Sequence, residues 1–254
     1  MKTLIVADDL TGALDSAVTF AGVGLRCTVA RRPADIPAAL DEVAVPRPRP
    51  VLVLVGGAGG MDEATQQVLA RVLRDAVLPV VERHGAAVVD GGTDSGVMRM
   101  LGRARAERNG LFPLVGVAAS GTVRVPGGPT INDAAEPERH HSHLVLVPGE
   151  VWGDESPWLT DVADVIAGEC ASVTVVVNGG EITYADAKGS LDRGRPVVVL
   201  AGTGRTADAI ADARSGGSAD PRDAAIAASP LTRVVAVEDA AAVRATIDAL
   251  LSQA

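Results

Sequence analysis

Four times along this chain a run of strand-forming apolar residues stops at clustered glycines, and a helical pattern follows. Residues 52–55 lead into Gly56 and Gly57. Residues 88–90 lead into Gly91-Gly92-Thr93-Asp94-Ser95-Gly96. Residues 175–177 lead into Asn178-Gly179-Gly180-Glu181, and residues 198–201 into Gly202-Thr203-Gly204-Arg205-Thr206. A strand, a glycine turn and a helix start form an anion site. Glycine lets backbone approach a phosphate, and the first unpaired helix N–H groups point at it with the positive dipole end behind them. Several such turns on one sheet place their loops along one edge, where open α/β sheets bind ligands.

The core has to suit that pattern. Hydrophobic residues make up 47% of the 254 residues but aromatics only 2%, so the interior is valine, alanine, leucine and isoleucine. This favours parallel strands buried on both faces under alanine-rich helices. The predicted class is α/β, a Rossmann-like three-layer fold with a mainly parallel sheet. No apolar run reaches the ~20 residues of a membrane span, and the N-terminus turns acidic too early for a signal peptide. Cys27 and Cys170 lack metal-ligand spacing and read as reduced thiols of a cytoplasmic protein. A net charge of −9 argues against a nucleic-acid partner.

The period of the pattern predicts strands at 3–7, 25–30, 51–55, 86–90, 113–118, 143–147, 173–177, 196–200 and 233–237. It predicts helices at 12–23, 35–42, 61–82, 94–107, 157–168, 183–191, 206–213, 222–228 and 238–252. Pro46, Pro48 and Pro50 mark a boundary, dividing a short βαβ segment over 1–48 from a main domain over 49–254. Residues 119–142 read as a long irregular loop, of the kind that carries function.

From about Pro50 onward the four glycine blocks, in this order and spacing, resemble the prokaryotic branch of the SLOG superfamily. Its members are Rossmann-like domains related to the LOG phosphoribohydrolases and to the N-terminal region of TRPM channels. The resemblance implies a phosphorylated, nucleotide-derived ligand, ADP-ribose-like or a nucleoside phosphate, bound by a sensor or cleaved by an N-glycosidic hydrolase. It also implies a homodimer. The glycine-threonine pair and following glutamate of LOG enzymes are missing after Gly180, which weighs toward binding and leaves turnover open. Ala7-Asp8-Asp9-Leu10-Thr11-Gly12 instead resembles the start of four-carbon acid-sugar kinases. The alternative is therefore a kinase relative using ATP and magnesium, with Asp8 and Asp9 at the sugar.

The binding shell expected from these turns is Gly56, Gly57, Gly91, Gly92, Thr93, Ser95, Gly96, Asn178, Gly179, Gly180, Gly202, Thr203, Gly204, Arg205 and Thr206. Arg205 can hold a phosphate bidentately, or pair with Asp208 on the surface. Glu181, at a helix start, is the acid or base expected for any cleavage, or else a dipole-favoured cap. His140, His141 and His143 read as a loop near the ligand rather than a metal cage, and no metal site is expected outside the kinase alternative. Trp152 and Trp158 flank Asp154 and Glu155; the expectation is that one of the two stacks on a base, the alternative being a tryptophan packed beneath a loop.

Overall fold

The computed structural model describes residues 18–20, 24–57, 59–124, 133–217 and 220–253. Asp8 and Asp9, with the whole acid-sugar-kinase-like motif, lie outside them. The chain runs β1 (Val18–Phe20), β2 (Leu25–Val29), α1 (Ile36–Glu42), β3 (Val51–Gly56), α2 (Glu63–Val72), α3 (Leu78–Arg83), β4 (Ala87–Asp90) and α4 (Gly96–Glu107). It continues β5 (Leu114–Ala119), β6 (His143–Val147), α5 (Ser156–Ala167), β7 (Ser172–Val177), α6 (Glu181–Asp192), β8 (Val197–Ala201), α7 (Arg205–Ala213), α8 (Pro221–Ala228), β9 (Thr232–Ala236) and α9 (Ala240–Leu251).

These strands form one sheet in the order β1-β2-β6-β5-β4-β3-β7-β8-β9. Every neighbouring pair is parallel except β1–β2. The two faces follow from the period-2 alternation of strand side chains. Val51, Val53 and Val55 point to the face covered by α1, α5, α6, α7 and α8. Leu52 and Leu54 point to the face covered by α2, α3, α4 and α9. The result is the three-layer α/β architecture expected from the alternation. β2 and α1 belong to the same body: β2 pairs with β6, and Ile36 and Leu40 of α1 join the core beneath α5.

Two expectations are corrected. The helix over 12–23 does not extend through Val18–Phe20, which pairs antiparallel with β2. A β-branched and aromatic Val-Thr-Phe triplet suits a strand better than a helix. The single helix over 61–82 is interrupted by a π-turn at Leu73–Val77. Pro79 lies just inside α3, and a proline ring conflicts with the carbonyl four residues back, here Asp75 in the widened turn. The thiols of Cys27 and Cys170 are free. Burial, assisted by Glu42, pushes Cys27 up to about 12.

The direction of winding reverses at β3. From there the chain builds outward through β4 and β5 on one side and, after β6, through β7, β8 and β9 on the other. The carboxyl ends of β3 and β7 therefore flank a topological switch point.

Candidate functional site

A cleft of about 390 Å³ opens at that switch point, within the usual range for small-molecule sites. Its walls are the strand ends and the loops that follow: Gly56 at the end of β3 and Gly57 after it, Gly91 and Thr93 after β4, Gly179 to Thr183 after β7, and Arg205 after β8. Gly92, Ser95, Gly96, Asn178, Gly202, Thr203, Gly204 and Thr206 stand behind this surface rather than on it.

Those residues build the loops. Asn178 adopts φ 50°, and its amide donates to the Thr203 carbonyl at 2.6 Å while its backbone N–H donates to Thr203 Oγ1 at 2.8 Å. The β7 and β8 loops are thus tied together. Gly56 has φ +128°, and a Cβ there would lie 1.8 Å from the Val177 carbonyl oxygen, so only glycine fits at this close strand approach.

Several glycine amides are already committed. The N–H of Gly57 donates to the Val177 carbonyl, Gly92 to Asp90, Gly179 to Asn178, Gly180 to the Thr183 hydroxyl and Gly202 to Asp208. The donors left over lie one residue further on. No acceptor among the described residues takes the N–H groups of Glu181 and Ile182 at the start of α6, or of Arg205 and Thr206 at the start of α7, and the residue before each helix, Gly180 or Gly204, has no side chain to cap them.

Arg205 completes this donor set. It is the first residue of α7 yet has φ 51°, a left-handed conformation that costs a side-chain-bearing residue about 1–3 kcal/mol. Its guanidinium lies over the α6 start: a Cβ on Gly180 would come within 3.0 Å of Arg205 Nη2, and one on Gly59 within 3.1 Å of Nη1. Asp208 accepts from the Gly202 N–H at 2.6 Å, and Arg205 forms no ion pair among the described residues.

The opposite wall is acidic. Asp186, on the inward face of α6, lines the cleft and is 8% exposed. Among the described residues its Oδ1 and the Ser156 hydroxyl are both buried without a well-formed hydrogen bond, although the two groups lie near each other. Burial pushes Asp186 up to about 7; the nearby Ser156 hydroxyl opposes this and the Glu155 charge adds to it. Burial also raises Glu155, against the pull of its hydrogen bond from the Gly153 N–H. Across the cleft, the buried Thr93 hydroxyl likewise has no partner among the described residues. Glu181 is different in kind. Its carboxylate is exposed at the rim and held by Arg222 at 2.6 Å, which lowers its pKa.

Asp186 was missed in the sequence because it sits inside a helix. The available signal was the stripe Thr183, Asp186, Ala187 and Ser190, a core-facing i, i+3, i+4, i+7 pattern that includes an acid.

Behind the β4 wall, His141 is buried between Asp90 at 2.8 Å and Glu138 at 2.9 Å. Asp90 also accepts the Gly92 N–H at 2.7 Å, and the Gly92 carbonyl accepts from the Glu138 N–H. The 91–93 turn is therefore pinned from behind. No cluster of metal-ligating side chains is found among the described residues. A larger groove of about 660 Å³ lies between α6 and α8, but its Arg222 is engaged by Asp220 and Glu181.

Fold and site together define a class: a Rossmann-like domain with a small-molecule cleft at its topological switch point, cationic on one side and acidic on the other. The chain belongs to the family described as SLOG in TRPM, prokaryote, whose model matches residues 49–246. It is 24% identical over 200 residues to the transient receptor potential cation channel subfamily M member 2 of Mus musculus, and 24% over 196 residues to that of Rattus norvegicus. These matches cover 65% and 63% of this chain but 13% of each channel. The fold is similar to that of a molybdenum cofactor carrier protein from Chlamydomonas reinhardtii, with 19% identity and a TM-score of 0.53 over 81% of this chain and 99% of the carrier. Among the described residues no helix is long and apolar enough to cross a membrane.

Proposed function

We propose that the cleft binds a phosphorylated, nucleotide-derived small molecule, with its phosphate at the α6 and α7 starts and its sugar hydroxyls toward Asp186 and Thr93. The observation that carries this reading is Arg205: a guanidinium with no ion-pair partner among the described residues, borne by the strained first residue of α7 and lying over the α6 start, where the Glu181 and Ile182 N–H groups have no acceptor. Such a cation on an acidic protein needs a polyanionic partner with several acceptor oxygens, and phosphate meets that need better than a carboxylate. The Asp186 and Thr93 oxygens on the other walls, buried without a well-formed hydrogen bond among the described residues, call for hydroxyl partners.

A thermal-shift titration with inorganic phosphate, AMP and ADP-ribose tests the assignment. The expected result is stabilisation of the wild type that disappears in Arg205→Ala. Equal stabilisation of both proteins, or of neither, would overturn it.

Asp186 favours a second reading, N-glycosidic hydrolysis. A buried carboxyl with a pKa of about 7 suits general acid–base work near neutrality, whereas the exposed, Arg222-paired Glu181 does not. Release of adenine and ribose 5-phosphate from AMP, lost in Asp186→Asn, would establish turnover. Binding without products assigns a sensor.

A further inference from the structure

Among the described residues four large hydrophobic side chains are exposed: Leu111, Val151, Trp152 and Ile182. Trp152 and Ile182 line the mouth of the cleft, and Val151 adjoins Trp152. Leu111 lies elsewhere, beside the amino end of β5. Apolar surface left in water gains nothing for the fold, and its concentration at one opening marks a binding surface.

The loop that carries Trp152 is stiff. Asp154 Oδ2 accepts the N–H groups of Glu150 at 2.8 Å and Val151 at 3.1 Å, and Glu155 accepts that of Gly153 at 2.9 Å. Gly153 has φ +102°, and a Cβ there would lie 3.2 Å from Ile182 Cγ1, so the loop rests directly on the first turn of α6. The indole is therefore presented from a fixed base, and its N–H has no hydrogen-bond partner among the described residues. A rigid aromatic held half-exposed loses little conformational freedom when a flat ring stacks on it.

Ile182 links this apolar mouth to the anion-binding wall. Its side chain faces the mouth, while its backbone N–H is one of the unpaired donors at the α6 start. A ligand with a phosphate on that N–H has the rest of its body within reach of the indole.

We propose that Trp152 and Ile182 form a ring-binding subsite that takes the planar heterocycle of the ligand whose phosphate meets Arg205. This rests on the phosphate-ligand reading above. It makes Trp152 a specificity-determining residue that separates base-bearing nucleotides from bare sugar phosphates.

The test uses Trp158→Phe, which leaves Trp152 as the only indole, and titrates AMP against ribose 5-phosphate. AMP is expected to quench the fluorescence and to bind about tenfold more tightly than ribose 5-phosphate. In Trp152→Ala, checked for folding by circular dichroism, AMP should weaken to the level of ribose 5-phosphate, whose own affinity stays unchanged. Trp152→Phe should keep part of the preference. An AMP preference that survives in Trp152→Ala overturns the subsite alone. If neither compound binds the wild type, the phosphate-ligand reading falls and the subsite with it. If the wild type self-associates in sedimentation, Trp152→Ala abolishes this and the AMP preference is intact, the patch is a protein contact and the proposal is overturned.

Discussion

Gly92 and Gly116 pass so closely that a Cβ on Gly116 would sit 2.4 Å from the Gly92 Cα. The turn after β4 thus packs directly on the neighbouring strand β5, and Gly92 itself has φ +67°. Backbone faces backbone here, so no side-chain adjustment can make room. Gly116→Ala should destabilise the fold by about 3 kcal/mol, roughly a 6–12 °C fall in melting temperature for a chain of this size. Gly57→Ala provides the contrast. Its Cβ would meet nothing closer than 3.9 Å, so it should melt near the wild type while weakening phosphate-dependent stabilisation by crowding the cleft.

Arg205→Gly should separate stability from binding. Glycine adopts φ 51° freely, which relieves about 1–3 kcal/mol of strain. The added unfolded-state entropy costs only about 0.5–1 kcal/mol. The variant should therefore melt at or above the wild-type temperature and lose stabilisation by AMP. A clear loss of stability in calorimetry would mean that Arg205 has a structural role.

The sheet was legible because buried parallel strands here are near-continuous valine runs cut by glycines. Val51–Gly56 and Val197–Ala201 stand within a residue of the expected strands. The antiparallel strand Val18–Phe20 was hidden because three residues are too few to show a period. The glycine turns were visible as turns, but the composition of a turn does not say which of its amides is already satisfied. That depends on residues far apart in sequence, such as Asn178 and Thr203. Asp186 and Glu155 were illegible for a similar reason: their burial is created by packing α5 against α6, not by any local pattern.

Asp186 should leave a signature in the pH dependence of stability. Its folded pKa, about 7, lies above the ordinary carboxylate value of 3.8. The folded state then binds the proton more tightly, so stability falls as pH rises from about 4 to 7 and levels off above. Asp186→Asn should remove that slope and stabilise the protein at pH 8 by on the order of 1–3 kcal/mol. Chemical denaturation of both proteins across pH 5–8 checks this. An unchanged slope would show that Asp186 is ionised throughout.

His141 acts in a higher window. Burial alone would lower its pKa, but the Asp90 and Glu138 carboxylates outweigh it and raise the imidazole from 6.5 to about 9. The groups bearing on it are those two acids, with Arg105 interacting in turn with Glu138. A raised cationic pKa contributes stability that is complete below about pH 6.5 and lost as pH climbs through 9. His141→Gln retains hydrogen-bonding capacity but not the charge. It leaves two buried carboxylates facing each other without a cation, so it should be destabilised by several kcal/mol at pH 6, on the order of 3–5 for a broken buried pair. The deficit should shrink between pH 7 and 9.5 as the wild type gives up its own proton. Because Asp90 also holds the Gly92 amide, the same variant should loosen the wall that carries Gly91 and Thr93. Hydrogen exchange would then show faster opening at residues 91–96, while the Asn178–Arg205 side of the cleft keeps wild-type protection.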